Sequence, residues 1–571
     1  MMIGLFCTAL SAPAIAQAED DQPTPEEVIE APTEKIAPDD EPDEAEPKED
    51  DGLELEFAPS YRVRNINIRP LDLNGEKVRN VDWTEQRFRL DAGLIKPKMG
   101  AIHIQLDALD GVLFGDNGRF GKNPGSNSGV SIAAKQPNAV GWGIGLESGG
   151  DPLDPDSYVP VLEERDLIGI NYLYADIFLP VGLLRFGRQP LNYGATISAH
   201  DGGNHNRWGV SEYSDGVDRI LFGTKLDEAY RMMSGGSGGP DLSMDNGIIW
   251  ALFYDLMKQE SQPVLGGSLR QLGTSLQFLK RQADWGGLDW NGLKLTANAV
   301  YLNDDQFNTD AFGIPLILEG NLENVDLTLQ YIHLRGSTRE ISEGFAALTG
   351  DDATDQDIRS HGAHGVLDVE LGPVVLTMQA DYASGDSDPQ PDNPVTSFSF
   401  ARDLNVGLLL FERVMAFESA RSVAVGIENL SSADMNSFPL TEVRTEGRFT
   451  NALALFPQAY VDWVKTPTHR LHTRAGVLMA WPATSGGVVD PIMTSLRMDG
   501  EEIEDDAVNF HGGSPGDYYG TELDLQVGYG FREIFDFIVE GAVLFPGNSL
   551  EDEHGDAVNS YLVEARFEVA L

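Results

Sequence analysis

The chain has 571 residues, enough for one large barrel or several soluble domains, and carries 40 Lys and Arg against 91 Asp and Glu, a net charge of −51. That balance excludes nucleic acid as a partner, because a phosphate backbone requires basic surface. The one cysteine, Cys7, lies in the N-terminal segment, so the rest of the chain has no thiol for a disulfide, a metal ligand or a nucleophile.

In chain order, residues 1–18 read as a secretory signal. An apolar run is followed by Ala16 and Ala18 around Gln17, an A-x-A-type site with cleavage after Ala18, although no Lys or Arg precedes the run. Residues 19–52 are rich in Asp, Glu and Pro and have no aromatic residue. Such a segment buries too little apolar surface to offset its ordering entropy, which predicts a disordered acidic spacer. A second reading of this spacer is a tail that collects divalent cations or docks a basic partner. No other segment has eighteen consecutive apolar residues, so no transmembrane helix is expected.

From residue 53 a period of two takes over. RFRLDAGL sets Phe88, Leu90, Ala92 and Leu94 against Arg87, Arg89 and Asp91, and IHIQLDAL sets Ile102, Ile104 and Leu106 against His103, Gln105 and Asp107. VVLTMQADY and TELDLQVGYGF repeat the pattern, and the chain ends on Tyr561, Val563, Ala565, Phe567, Val569 and Leu571 alternating with Glu564, Arg566 and Glu568. A strand sends successive side chains to opposite faces. Recurrence in segments of about ten residues points to a transmembrane antiparallel β-barrel over residues 53–571, with lipid-facing and lumen-facing residues in turn. Connections agree: Pro180-Val181-Gly182, Gly372-Pro373, Thr466-Pro467-Thr468 and Arg532-Glu533-Ile534 are tight, whereas 111–166, 190–216, 384–401 and 482–518 are long and polar. Nineteen candidate strands can be counted, five of them between residues 217 and 335. A barrel with both ends on one side needs an even number, so 18 is favoured, with 16 and 20 open and the piece 232–247 the hardest join to place. Phe178, Trp208, Phe456, Trp463, Trp481 and Phe545 lie beside strand ends, as an interfacial girdle requires. The C-terminal Leu571 departs from the Phe that ends most such barrels.

Alternation assigns side chains to the lumen. The inward acids are Asp91, Asp107, Asp326, Asp368, Glu370 and Asp381, followed by Glu522, Asp524, Asp536, Glu540, Glu564 and Glu568. Inward bases are Arg87, Arg89, Arg185, Lys294, Arg474 and Arg566. Lining charges in a low-dielectric channel select counter-ions, which predicts a weakly cation-preferring or unselective pore. The competing reading is a stabilising network of arginine–carboxylate pairs that selects nothing.

LLRFGRQPLNYGATI (183–197) resembles the GRQ-containing strand of the alginate-export family of outer-membrane barrels and related porins. SDGVDRILF (214–222) and GTELDLQVGYG (520–530) with LFPG (544–547) extend the resemblance, which covers about a fifth of the chain. It implies an 18-stranded outer-membrane channel. The basic lining of alginate exporters is only partly matched, by Arg185, Arg188, Arg207 and Arg219, and Arg188 falls on the lipid side by alternation.

Three functions are then open. The first is passive diffusion of small solutes or ions, with saccharides included, in contact with outer-membrane lipid and lipopolysaccharide and inserted by the barrel-assembly machinery. The second is a plugged surface barrel that acts as an adhesin or structural protein through its long loops. The third is a rim-site enzyme built on His200, Asp201, His205 and Arg207. It ranks last, because a flexible loop without regular ligand spacing is weak support for a metal or acid/base site. No cofactor and no metal is expected.

Overall fold

The computed structural model describes residues 52–571 apart from 72, 74–80, 116–144, 149–157, 162–167, 192–196, 204–205, 212–214, 237–244, 260–268, 306, 340–341, 343–351, 388–392, 402–403, 417–446, 485–507 and 510. The signal segment 1–18 and, except for Gly52, the spacer 19–52 lie outside the described residues.

The wall begins with β1 (Glu54–Arg69), β2 (Val81–Lys96) and β3 (Gly100–Gly115). A separate hairpin, β4 (Gly145–Ser148) and β5 (Tyr158–Val161), precedes the next wall strands, β6 (Ile168–Leu179), β7 (Gly182–Pro190) and β8 (Gly216–Lys225). Helix α1 (Leu226–Met233) leads to β9 (Gly247–Gln259), β10 (Arg270–Trp285), β11 (Leu288–Asp304), β12 (Thr309–Leu322) and β13 (Val325–Thr338). The last group is β14 (Gln356–Leu371), β15 (Val374–Ala383), β16 (Ala452–Lys465), β17 (His469–Pro482), β18 (Gly520–Phe531), β19 (Phe535–Pro546) and β20 (Ser560–Ala570).

Eighteen of these strands form one antiparallel sheet. β20 pairs with β19 on one side and with β1 on the other, from Ser60↔Ala570 to Arg69↔Tyr561, so the sheet closes on itself and has no free edge. The interval between residues 217 and 335 holds six strands, β8 to β13, one more than the five counted there, which makes the number even; β4 and β5 stand outside the wall, which leaves 18. Of the difficult join 232–247, the end of α1 and the start of β9 are described, and residues 237–244 lie outside the described residues.

All four anticipated tight turns are present, and they gather on one rim with the turns after β2, β10 and β12. Gly286 and Gly287, both at positive φ (68° and 75°), connect the Trp285↔Leu288 rung as a two-residue hairpin turn, a conformation that favours glycine. Long connections leave from the opposite rim.

The outer wall exposes Leu276, Leu316, Leu329, Leu376, Leu525 and Val563 in a continuous apolar band. Phe178, Trp285 and Trp463 flank it near the turn rim, and Tyr301, Phe312, Phe545 and Tyr561 near the loop rim. Trp208 and Phe456 do not belong to this girdle. Both are buried inside the barrel and stack on each other with centroids 5.9 Å apart. Phe456 faces inward by strand parity, and Trp208 is carried into the lumen by its loop. Arg188 lies on the outer face as alternation predicts, close to the loop rim, where its Nε donates to Asp218 Oδ1 at 3.0 Å across the β7–β8 rung.

Candidate pore constriction

The lumenal wall is built from ladder rungs that place opposite charges face to face. Arg89 donates to Asp107 through Nε and Nη2, both at 2.7 Å. Arg185 grips Asp176 in the same way at 2.7 and 2.9 Å, and Arg219 grips Asp255 at 2.6 and 2.7 Å. Arg64 bonds Glu85 at 2.8 Å, and Lys294 meets Glu319 at 2.6 Å. Such two-pronged pairs are the strong, geometrically specific form of the charge-assisted hydrogen bond. Near the seam Arg566 bonds Glu540 at 2.7 Å and lies 3.8 Å from Glu564. Asp381 pairs with His364 at 2.5 Å and accepts from Gln379 at 2.8 Å. By strand parity these rung charges point to the inner face, where Arg89, Arg185 and Arg566 each bond a wall carboxylate.

Charges near the turn rim differ. Glu56, Asp91, Glu370 and Asp536 are exposed, and Asp326 and Glu568 are half-buried. Asp91 accepts from Gln105 at 2.7 Å and Asp326 from Asn321 at 2.6 Å. Asp536 stands directly opposite Glu568, a like-charge rung that favours a nearby cation.

The described parts of the connection between β7 and β8 (191, 197–203, 206–211 and 215) lie inside the barrel. Asp201 O accepts from the Tyr172 hydroxyl of β6 while Gly202 O accepts from Arg89 Nη1 at 2.8 Å. Ser211 O accepts from both Arg62 and Arg87, each at 3.3 Å. On the far wall Arg207 is bidentate to Asp368 of β14 (2.9 and 2.5 Å), and Trp208 Nε1 donates to Gln458 of β16 at 3.0 Å. The Gly209 peptide is held at both ends: its N–H donates to Glu540 at 3.1 Å and its carbonyl accepts from Arg566 at 2.7 Å. Gly209 has φ +65°, and a Cβ there would lie 2.7 Å from Asn405 Nδ2. Gly209→Val is therefore expected to lift this crossing off the β19–β20 pair. Limited proteolysis of the refolded barrel should then cut within 199–211 faster than in the parent chain, with the wall intact.

A second insertion comes from the connection between β15 and β16. Phe398 lies over Gly362 of β14, where a Cβ would come within 2.4 Å of its ring. Phe400, Leu404, Val406, Leu408 to Phe411, Val414 and Met415 are buried together with Phe449 and Tyr519. Leu410–Met415 form a π-helical turn. These side chains pack on inward residues of the loop-side wall, including Ile66, Leu334, Leu478, Leu544 and Leu562. Full burial of one such side chain contributes about 1.5–3 kcal/mol, so the insertion is an apolar core. Burial also pushes the Tyr519 phenol above its ordinary pKa. The two insertions are hooked together: Asn405 N donates to Asn206 Oδ1 and Asn405 Nδ2 to Trp208 O, both at 2.9 Å. Among the described residues the loop-side lumen is thus largely occupied by an apolar insertion, with buried Glu522, Asp524 and Arg413 beside it, whereas exposed acids lie toward the turn rim. Alternation registers the face of each residue but not the depth at which a loop re-enters.

Among solved structures this chain is similar to OccAB1 of Acinetobacter baumannii (10% identity, TM-score 0.44, covering 90% of this chain and 97% of that one). It is also similar to OccK2 (OpdF) of Pseudomonas aeruginosa (9% identity, TM-score 0.42, covering 91% and 99%) and to a BenF-like porin from Pseudomonas fluorescens Pf-5 (8% identity, TM-score 0.42, covering 90% and 99%). No family model matches the chain, and no curated protein matches it. The barrel assignment rests on the strand pairing of this chain itself.

The loop histidines have structural geometry. His200 is fully buried, and its Nδ1 accepts the Gly202 N–H at 3.0 Å, which places the ring proton on Nε2, facing Ser211 Oγ at 3.3 Å. The imidazole donates to that hydroxyl instead of drawing a proton from it, the reverse of what a nucleophilic serine needs. Asp215 accepts from the His200 backbone N–H at 3.0 Å. His205 lies outside the described residues. His361 and His364 point to opposite faces of β14: His361 stacks on Tyr382 on the outer wall, 5.5 Å between centroids, and His364 faces the lumen. Among the described residues no group of three or more His, Cys, Asp or Glu is arranged to hold a metal ion.

Proposed function

We propose that this chain is a porin-like channel of the bacterial outer membrane that passes small solutes or ions by diffusion. The observation that carries this reading is a closed wall, apolar outside, whose turn-side lumen is lined by exposed carboxylates beneath two inward-folded loops. Closure hides every ladder hydrogen bond from lipid, which is what allows strands to span a bilayer. The turn rim then faces the periplasm and the long loops face outward. Lipid and lipopolysaccharide contact the apolar band, and the barrel-assembly machinery inserts it. The motifs at 183–197, 214–222 and 520–547 support a place near the alginate-export family. Yet Arg185 and Arg219 are each consumed by a carboxylate, so a polyanion is a poor substrate, whereas cations and neutral solutes such as small saccharides fit the turn-side charge.

Planar-bilayer recording of the purified protein is expected to show stable conductance steps with a modest preference for K⁺ over Cl⁻. Neutralising Glu56, Asp91 and Glu370 together should move the reversal potential in a KCl gradient toward anion preference. Absence of any step, in the parent chain and in loop-deleted forms alike, would sink the channel reading. The filled apolar half of the lumen favours a second reading, a barrel that rests plugged and works through its loops.

A further inference from the structure

One wall carboxylate holds the second insertion in place. Backbone N–H groups of Leu408 and Leu409 donate to Glu522 Oε1 at 2.6 and 2.9 Å, and that of Leu410 donates to Oε2 at 2.7 Å. Three successive N–H groups entering a helical turn form an anion-binding nest, and here the anion is a side chain of β18. Gly407 makes the approach feasible: its φ is +81°, and a Cβ would lie 2.9 Å from Glu522 Oε1 and 2.8 Å from the Leu478 side chain. At its other end the turn places the Arg413 guanidinium 5.5 Å from the Trp83 ring of β2. The segment therefore bridges the lumen from β18 to β2.

Beside this attachment lies a group that opposes it. Asp524, one lumenal position along β18 from Glu522, is buried beside that carboxyl. Two carboxyls held this close out of water repel each other when both are ionised, and that cost is relieved when the neighbouring segment withdraws and water enters. The β18 wall thus combines a three-fold attachment to one carboxylate with a local penalty for keeping it closed, while Asn405 ties the same segment to the first insertion.

We propose that Leu404–Ala416 is a releasable strap across the lumen and that Glu522 is its latch. Loss of the Glu522 carboxylate frees the three N–H groups at the head of the strap and opens the path beside β18. The geometry is independent of what passes through the barrel; the effect on permeation rests on the channel reading above.

Cys7 is the only cysteine of the chain, so a single reporter thiol can be read cleanly. In a Cys7→Ser background, Leu408→Cys places a thiol at a residue that is 1% exposed. Maleimide labelling of the refolded barrel should be slow. Adding Glu522→Ala should accelerate it on the order of tenfold or more, as loss of several charge-assisted hydrogen bonds implies, with Glu522→Gln in between. Single-channel conductance should rise in parallel. Unchanged labelling in a Glu522→Ala barrel that keeps its heat-modifiable migration would overturn the proposal. Should that variant not refold, Gly407→Ala displaces the same N–H groups and must also speed labelling, and failure to do so overturns the latch equally. Faster labelling without conductance in any variant would support the strap while removing the channel reading.

Discussion

Replacing Ala199–Ser211 with a short glycine–serine linker should raise single-channel conductance on the order of several-fold, because conductance follows the narrowest lumenal section and the groups that line it. The described residues of this segment touch β1, β2, β14, β16, β19 and β20 from inside the barrel. Its removal also takes away Asn206 and the Trp208 carbonyl, the two hooks for Asn405, so the second insertion loses its neighbour as well. The direction is the same whether the parent barrel conducts weakly or rests plugged. A bilayer recording in which the linker variant, refolded with the parent's heat-modifiable migration, shows the parent's conductance would mean that this crossing does not set the aperture. The wall should tolerate the change, since the β7–β8 pairing from Leu183↔Gly223 to Pro190↔Gly216 is independent of the removed residues.

Much of the wall was legible in the sequence because strand geometry has a period of two and a tight turn fixes its own register. Once Pro180-Val181-Gly182 is taken as a turn, counting outward from the Leu179↔Gly182 rung places Asp176 opposite Arg185. Counting from Gly372-Pro373 likewise places His364 opposite Asp381. Inward facing was therefore readable residue by residue, and the stabilising-network reading could have been strengthened by carrying the count through each hairpin. The lumenal filling was not legible. Residues 190–216 are rich in Gly, Asp, Asn and Ser, the composition of an exposed loop, and re-entry depends on contacts with strands more than 150 residues away, such as Arg207 with Asp368. A signal did exist. Several strands become apolar on both faces toward the loop rim, as in Tyr331-Ile332 and Val477-Leu478-Met479-Ala480, where Ile332, Leu478 and Ala480 point inward and are fully buried. An apolar inward face in a water-filled channel would be unfavourable, so such residues announce that something apolar folds in to meet them. Trp208, assigned to the girdle, is part of that filling.

Arg219→Met alone should destabilise the barrel by about 3–5 kcal/mol, whereas Arg219→Met combined with Asp255→Leu should recover most of that loss. Both groups are at least 96% buried and bonded through two parallel N–H···O contacts. Removing the guanidinium leaves Asp255 a desolvated charge, and it also removes the cation stacked 4.6 Å over the Phe253 ring. Replacing both partners leaves no unpaired charge, so the penalty falls to the difference in packing. Urea midpoints for unfolding from lipid vesicles would measure the ordering, and a double variant as unstable as the single one would show that packing, not the loss of the guanidinium beside the Asp255 carboxylate, sets the cost. Conductance and ion preference should stay unchanged in the double variant. Arg219 and Asp255 cancel within one rung and lie out of reach of solvent, so they contribute no net field to a passing ion. The same reasoning applies to Arg89 with Asp107 and Arg185 with Asp176. Ion preference is then left to the charges that water reaches, which in the described lumen include Glu56, Asp91, Glu370 and Asp536 near the turn rim, with Arg470 of opposite sign among them. A shift in reversal potential on removing the Arg219–Asp255 pair would return the mid-barrel charges to the pore and reverse this division of roles.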